Sequence, residues 1–283
     1  MLRLRVLSAL VLIPVVLVVV ALGNPWLALV VALAAGLALH ELYLLFAIVG
    51  HRPVRWAGFL GAAFLLLAAY LPPAGSSIGA AVVGAVAVTL VGQLARRDYG
   101  GALTDWALTL AGTLYVSWTL AHLIPLRSLN EPAFSPPFWR ALGAPELGGG
   151  AWWILTAFLL VWLCDSAAYF VGVRWGRHKM SSYVSPQKSW EGAVAGFLTS
   201  VGVAVGLVPL LGLPLSYPMA AILGMLVGVV GQVGDLAESL LKRQVGVKDS
   251  GQLIPGHGGM LDRVDSLLFA VPLVYYFLKL VLR

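Results

Sequence analysis

Charge is what this chain most lacks. Eighteen Lys and Arg and twelve Asp and Glu make up 11% of its 283 residues, against 60% hydrophobic. An average soluble domain carries about 25% charged residues, so a water-facing surface built from this sequence exposes large apolar patches. A soluble globular enzyme is excluded. So is a nucleic-acid binder, because the net charge is only +6 and no basic run exceeds two residues. Cysteine is scarcer still: Cys164 stands alone, which excludes a disulfide framework and a Cys-rich zinc site. A Gly-x-x-x-x-Gly-Lys phosphate loop and a His-Glu-x-x-His zinc helix are both missing. So is the internal repeat of many secondary transporters.

Long apolar runs are what is there. Stretches long enough to cross a bilayer as helices occur at 4–22, 26–49, 56–72, 77–94, 106–127, 151–172, 191–212, 217–234 and 264–282. Helices are the only open-ended way to satisfy backbone polar groups in lipid. The fold class expected is all-α, a polytopic integral membrane protein with about nine transmembrane helices. The first stretch reads as mature helix, since its apolar run is long and no A-x-A cleavage site follows. The eighth helix is expected to continue past Gly234, because 235–243 alternates at helical spacing. If the N-terminus is cytoplasmic and crossings alternate, 14 of the 18 basic residues fall on the cytoplasmic side and 4 outside. The expected organisation is N-terminal packing helices at 1–127 and an irregular external loop at 128–150. A C-terminal catalytic region at 151–283 carries cytoplasmic loops at 173–190 and 235–263.

The first half holds little chemistry. Gly58/Gly61 and Gly79/Gly84 suggest close helix packing, although low-complexity apolar sequence explains them equally well. Glu41, beside His40, is a conspicuous charge within an apolar run. It reads either as an interhelical hydrogen-bond partner or as part of a substrate site. In the second half, seven of the twelve carboxylates lie between 165 and 265. Asp165 sits inside an apolar span, so it should face a polar cavity, a cation or a partner. Ser185-Pro186-Gln187-Lys188-Ser189 leads into a helix beginning near Trp190, with Glu191 in its first turn. Helix amides with a lysine and hydroxyls can bind phosphate; an ordinary N-cap beside a lysine is the plainer reading.

Further on, Asp235 and Glu238 share a helical face, as do Asp262 and Asp265, with Arg263 turned away. Between them lie Lys242-Arg243, Lys248-Asp249 and Gly256-His257-Gly258-Gly259. Converging carboxylates with phosphate oxygens make a Mg²⁺ site. Lys and Arg hold the remaining phosphate oxygens, and the glycines let backbone approach a ligand closely. A surface loop with local salt bridges is the alternative. The density of charge in a nearly charge-free chain favours a metal-phosphate site. His257 reads as a general base, a phosphate donor or a turn residue.

These residues resemble the signature of the phosphatidate cytidylyltransferase (CDP-diacylglycerol synthase) family. That pattern runs Ser239-x-Leu241-Lys242-Arg243, then Lys248-Asp249, then Gly256-x-Gly258-Gly259 around His257, then Asp262-Arg263-Val264-Asp265, with every fixed position met. Asp165-x-x-Ala168-Tyr169-x-x-Gly172-x-x-x-Gly176 and Ser185-Pro186-x-Lys188-Ser189-x-Glu191-Gly192 resemble family motifs as well. The N-terminal half is matched only in character. The resemblance implies an integral enzyme of the cell (inner) membrane that joins CTP to phosphatidic acid, releasing CDP-diacylglycerol and pyrophosphate. It implies Mg²⁺, with a second cation such as K⁺, and metal binding at Asp235 and Asp262 with Asp265 in the same motif. Within that frame Lys188, Ser189, Lys242, Arg243, Lys248 and Arg263 are candidates for the two phosphate groups. Ser185, Asp165, Asp249, His257, Gly258 and Gly259 complete the expected substrate site. A homodimer is expected because related membrane enzymes often pair. Competing readings are a CTP-using lipid kinase, which releases CDP, and a CDP-alcohol phosphotransferase, whose Asp-rich run is absent. A transporter or a non-catalytic scaffold stands further off.

Overall fold

The computed structural model describes residues 13–71, 77–129, 134–253 and 258–282. Its helices in chain order are α1 (Ile13–Leu22), α2 (Asn24–Ile48), α3 (Arg55–Tyr70), α4 (Ser77–Leu94) and α5 (Ala102–Arg127), then α6 (Pro137–Ala141), α7 (Gly149–Trp175), α8 (Trp190–Leu211), α9 (Tyr217–Gln244) and α10 (Leu261–Val281). A π turn at Thr113–Trp118 interrupts α5. Six of them, α2, α5 and α7 to α10, are long and apolar enough to cross a membrane; α1, α3 and α4 are shorter apolar helices. Large apolar side chains such as Val83, Phe170, Val173 and Leu198 face outward, as lipid-facing helices require. The protein is a mostly helical integral membrane protein.

Several expectations are adjusted. Residues 4–12 of the first apolar stretch lie outside the described residues. The chain is not helical throughout: β1 (Lys179–Ser181) and β2 (Ser185–Ser189) pair antiparallel between α7 and α8. The segment 128–150, expected to be irregular, contains α6. The expected continuation past Gly234 is one unbroken helix, so Asp235 lies within α9 rather than in a loop. No breaker occurs before Gly246, which adopts φ +76°, a left-handed conformation suited to glycine.

The chain forms two compact units. Met1–Pro125 with Gln244–Val264 makes the first, and Leu126–Arg243 with Asp265–Arg283 the second. Gln244–Val264, most of the signature stretch 239–265, thus groups with the N-terminal helices.

In the first unit α3 lies along α4, and α2 packs against α3 and the π turn. A Cβ on Gly61 would meet Ala85 and Thr113 at 3.3 Å, and one on Gly84 would meet Phe64 at 3.1 Å, whereas Gly79 has open space around it. The close-packing reading therefore holds for Gly61 and Gly84 and fails for Gly79. Tyr43, fully buried, donates to the Thr109 carbonyl at 2.7 Å and lies 2.8 Å from the Thr113 hydroxyl. Asp105 accepts from the Arg52 amide at 2.7 Å and from Arg96 Nη1 at 2.6 Å.

In the second unit α7 and α8 pack through glycine. A Cβ on Gly196 would sit 2.8 Å from the Cys164 carbonyl, and one on Gly192 would sit 3.2 Å from Gly172 Cα. Such approach brings helices together without side chains between them. Gln232 of α9 then donates to the Ala193 carbonyl of α8 at 3.1 Å.

Candidate active site

The second unit contains a cavity of about 560 Å³. Asp165 and Tyr169 reach it from α7, Lys179 from β1, Ser185, Lys188 and Ser189 from β2, and Gln232 and Asp235 from α9. Local sequence explains the wall at β2. Ser189 is extended and caps α8, its hydroxyl accepting from the Gly192 amide at 3.2 Å. The Trp190 amide donates to the His178 carbonyl at 2.8 Å. Glu191 occupies the first turn, where the helix dipole favours a carboxylate, and contacts His178 Nδ1 at 2.6 Å. The helix start expected near Trp190 is there, with the plain N-cap at Ser189 realised.

Lys188 Nζ lies 2.6 Å from Asp235 Oδ2, the two side chains being 26% and 29% exposed. One turn further along α9, the fully buried Glu238 pairs with Lys242. Arg243 Nε donates to the Val184 carbonyl at 3.2 Å, which ties the end of α9 to the hairpin. Asp265 on α10 interacts electrostatically with Asp235, Glu238 and Asp165. The unit thus gathers four carboxylates, and Lys188 and Lys242 pair with two of them. Crowded like charges favour a bound cation.

Among the described residues no three His, Cys, Asp or Glu side chains form a ready-made metal cage. Mg²⁺ does not need one: it keeps several waters and uses one or two carboxylates plus substrate phosphates. An all-oxygen group around Asp235 and Asp265 fits that habit.

Asp262 belongs to the first unit, and its surroundings are different in kind. Its Oδ2 accepts from the Ser250 amide at 2.9 Å, the Ser250 hydroxyl at 3.0 Å and the Gly259 amide at 2.8 Å. Glu41, 6% exposed, reaches the same loop from α2. Its Oε1 accepts from the Met260 amide and its Oε2 from the Leu261 amide and the Ser250 hydroxyl, each at 2.9 Å. Of the two readings of Glu41, the hydrogen-bonding one is therefore realised. Gly258 has φ +80°, and a Cβ there would lie 2.6 Å from Asp262 Oδ2, so both conformation and space call for glycine. Lys248, Asp249 and Arg263 are exposed. His257 lies outside the described residues.

The structure brings Asp165, Ser185, Lys188, Ser189 and Asp235 to one cavity, and sets Asp265, Lys242 and Arg243 within the same unit. Gln232, Tyr169 and Lys179 were not anticipated as lining residues. A lone amide in an apolar span was the available signal for Gln232. Asp105 also escaped notice, although a carboxylate in an apolar run asks for a partner.

The chain was compared with known proteins. The model of the cytidylyltransferase family matches residues 3–281. The chain is 34% identical over 288 residues to a phosphatidate cytidylyltransferase of Synechocystis sp., covering 98% of this chain and 97% of that protein. The like-named protein of Bacillus subtilis is 36% identical over 173 residues, 61% of this chain and 58% of its own length. That of Haemophilus influenzae is 44% identical over 137 residues, 47% and 48% of the two chains.

Proposed function

The chain belongs to the cytidylyltransferase family, and from that premise we propose that it transfers the CMP group of CTP to phosphatidic acid, releasing pyrophosphate and forming CDP-diacylglycerol. The substrates come from the names of its relatives. The observation that carries the reading on this chain is the cavity in which a lysine and a carboxylate meet beside Ser185, Ser189 and Asp165. Two polyanions must approach one another, and such a site supplies both a cation and ligands for a second.

The reaction is direct and in line. A phosphate oxygen of phosphatidic acid attacks the α-phosphorus of CTP, and the bond to the β-phosphate oxygen breaks as pyrophosphate leaves. The lipid phosphate is already ionised near neutral pH, so no covalent enzyme intermediate is needed. Catalysis is then positioning and charge stabilisation. Lys188 and the amides at the start of α8 hold phosphate oxygens. Arg243 and Lys242 add positive charge at the end of α9. Asp235 and Asp265 would hold Mg²⁺, and the ion would supply charge neutralisation to the phosphates and the leaving pyrophosphate. Asp262 stays in the reading as the signature's other metal-binding aspartate, its Oδ2 oriented by Ser250 and Gly259.

The same reading includes a cytoplasmic N-terminus, nine crossings and a site on the cytoplasmic side of the cell membrane. α3, at 16 residues, rises about 24 Å, and a slightly short crossing is accommodated by local thinning. A homodimer belongs to it too, and crosslinking in native membranes tests that.

The deciding experiment supplies purified protein with α-³²P-CTP, phosphatidic acid and Mg²⁺. Label in a lipid extract, with pyrophosphate released, supports the proposal; CDP release with unlabelled lipid identifies the rival kinase. Label trapped covalently on the protein without lipid would overturn direct attack. Asp262→Asn is expected to abolish transfer while the protein still folds.

A further inference from the structure

We propose that Glu41, which lies outside the signature, is a positioning residue for the transfer, acting through the loop that holds Asp262. The inference rests on the proposed function, in that Asp262 is taken to act in the reaction. The geometry is specific. Glu41 comes from α2, more than two hundred residues away in sequence, yet both of its oxygens are committed to the turn before α10. Its carboxylate takes the Met260 and Leu261 amides, which have no intrahelical acceptor at a helix start. The Ser250 hydroxyl lies 2.9 Å from Glu41 Oε2 and 3.0 Å from Asp262 Oδ2, so one serine joins the two acids.

Two glycines show how closely the carboxylate is fitted. A Cβ on Gly251 would lie 2.7 Å from Glu41 Oε1, and one on Gly259 would collide with Glu41 Oε2 and the Ser250 hydroxyl. Gly259 also donates to Asp262. A shift of Glu41 therefore reaches Asp262 along two routes, through Ser250 and through Gly259. Glu41 touches neither substrate in this account. It sets where the Asp262 carboxylate points.

The Glu41→Gln variant tests this. The amide turns one acceptor into a donor, which must face the Met260 or the Leu261 N–H, while size is kept. The expected result is a fall in kcat per folded protein of roughly 10- to 100-fold, the scale of a small misplacement of a catalytic group, with the KM for phosphatidic acid unchanged. Amide hydrogen exchange at 249–261 should speed up, while exchange in α7 and α8 stays as in the wild type. Glu41→Asp, which keeps the charge, should recover part of the rate. In a Ser250→Ala background the Glu41→Gln loss should shrink, because the shared link is already cut. Wild-type kcat and exchange in Glu41→Gln would overturn the inference. So would a loss of activity that only tracks the loss of folded protein. If the wild-type protein proves unable to transfer CMP, the functional reading fails by itself, and exchange at 249–261 still judges the role of Glu41 in the loop.

Discussion

Lys188 offers the sharpest test of the proposed chemistry, because its structural and catalytic roles differ in size. Its ammonium lies 2.6 Å from Asp235, with both side chains a quarter or more exposed. The ammonium itself is shielded from water, but the side chains around it are partly exposed and methionine keeps the stem, so loss of the pair is expected to cost about 0–1 kcal/mol, the scale of a partly exposed pair. A charge-assisted contact to a phosphate oxygen contributes about 1.5–3 kcal/mol, a factor of roughly 10 to 150 in rate. Lys188→Met keeps most of the apolar stem and removes only the charge. It should therefore lower kcat/KM by that factor and leave the thermal midpoint in detergent nearly unmoved. Lys188→Arg should recover only part of the rate, because its planar fork does not reproduce a compact ammonium. The assay is label transfer from α-³²P-CTP to lipid at subsaturating nucleotide, beside a thermal unfolding scan of the same preparation. If Lys188→Met kept kcat/KM within about threefold, less than 1 kcal/mol, the assignment of Lys188 to a phosphate would fail. A parallel fall in stability and activity would leave Lys188 as no more than the partner of Asp235.

Other expected outcomes concern the frame. Asp105→Ala strands Arg96, which is 22% exposed against 6% for Asp105; the cost should be about 2–3 kcal/mol, below the 3–5 of a fully buried pair, and unfolding in detergent measures it. Gly196→Val drives a side chain into the Cys164 carbonyl and should cost about 1–3 kcal/mol. Gly79→Val, in open space, is the control, and equal losses in the two would refute the packing account. For orientation, Cys164 is buried, so a new exposed cysteine is the only reactive thiol expected. Arg97→Cys should take an impermeant thiol reagent from the cytoplasmic side and Arg140→Cys from the other, and labelling of both from one side would refute the alternating topology.

The six long helices were legible because lipid leaves the backbone few options, and a run of apolar residues then forces a helix. The start of α8 was legible for a local reason as well: an N-cap serine and an acid one residue into the helix make a pattern that spacing alone reveals. The β-hairpin was not, since Lys179–Ser181 and Ser185–Ser189 are short and polar, without alternation. The grouping of Gln244–Val264 with the N-terminal helices includes the contacts of Glu41, whose partners lie over two hundred residues away. Periodicity carries no information at that distance. Asp235 and Asp262 looked equivalent as signature acids, because sequence shows residue type and not what surrounds the carboxylate.

That difference of surroundings separates what can move from what cannot. In the second unit the carboxylates of Asp235 and Glu238 are answered by lysine side chains. A side-chain ion pair exchanges partners readily: a phosphate can take Lys188 and a cation can take Asp235, and the two new contacts replace the one lost. In the first unit Glu41 and Asp262 are answered by backbone amides of Ser250, Gly259, Met260 and Leu261. A backbone donor cannot leave without moving the chain, so those contacts are harder to exchange. In the proposed reaction the Lys188–Asp235 pair is the one suited to open to a polyanion, the Glu238–Lys242 pair being buried, and the amide-held acids of the first unit are suited to keep a fixed geometry.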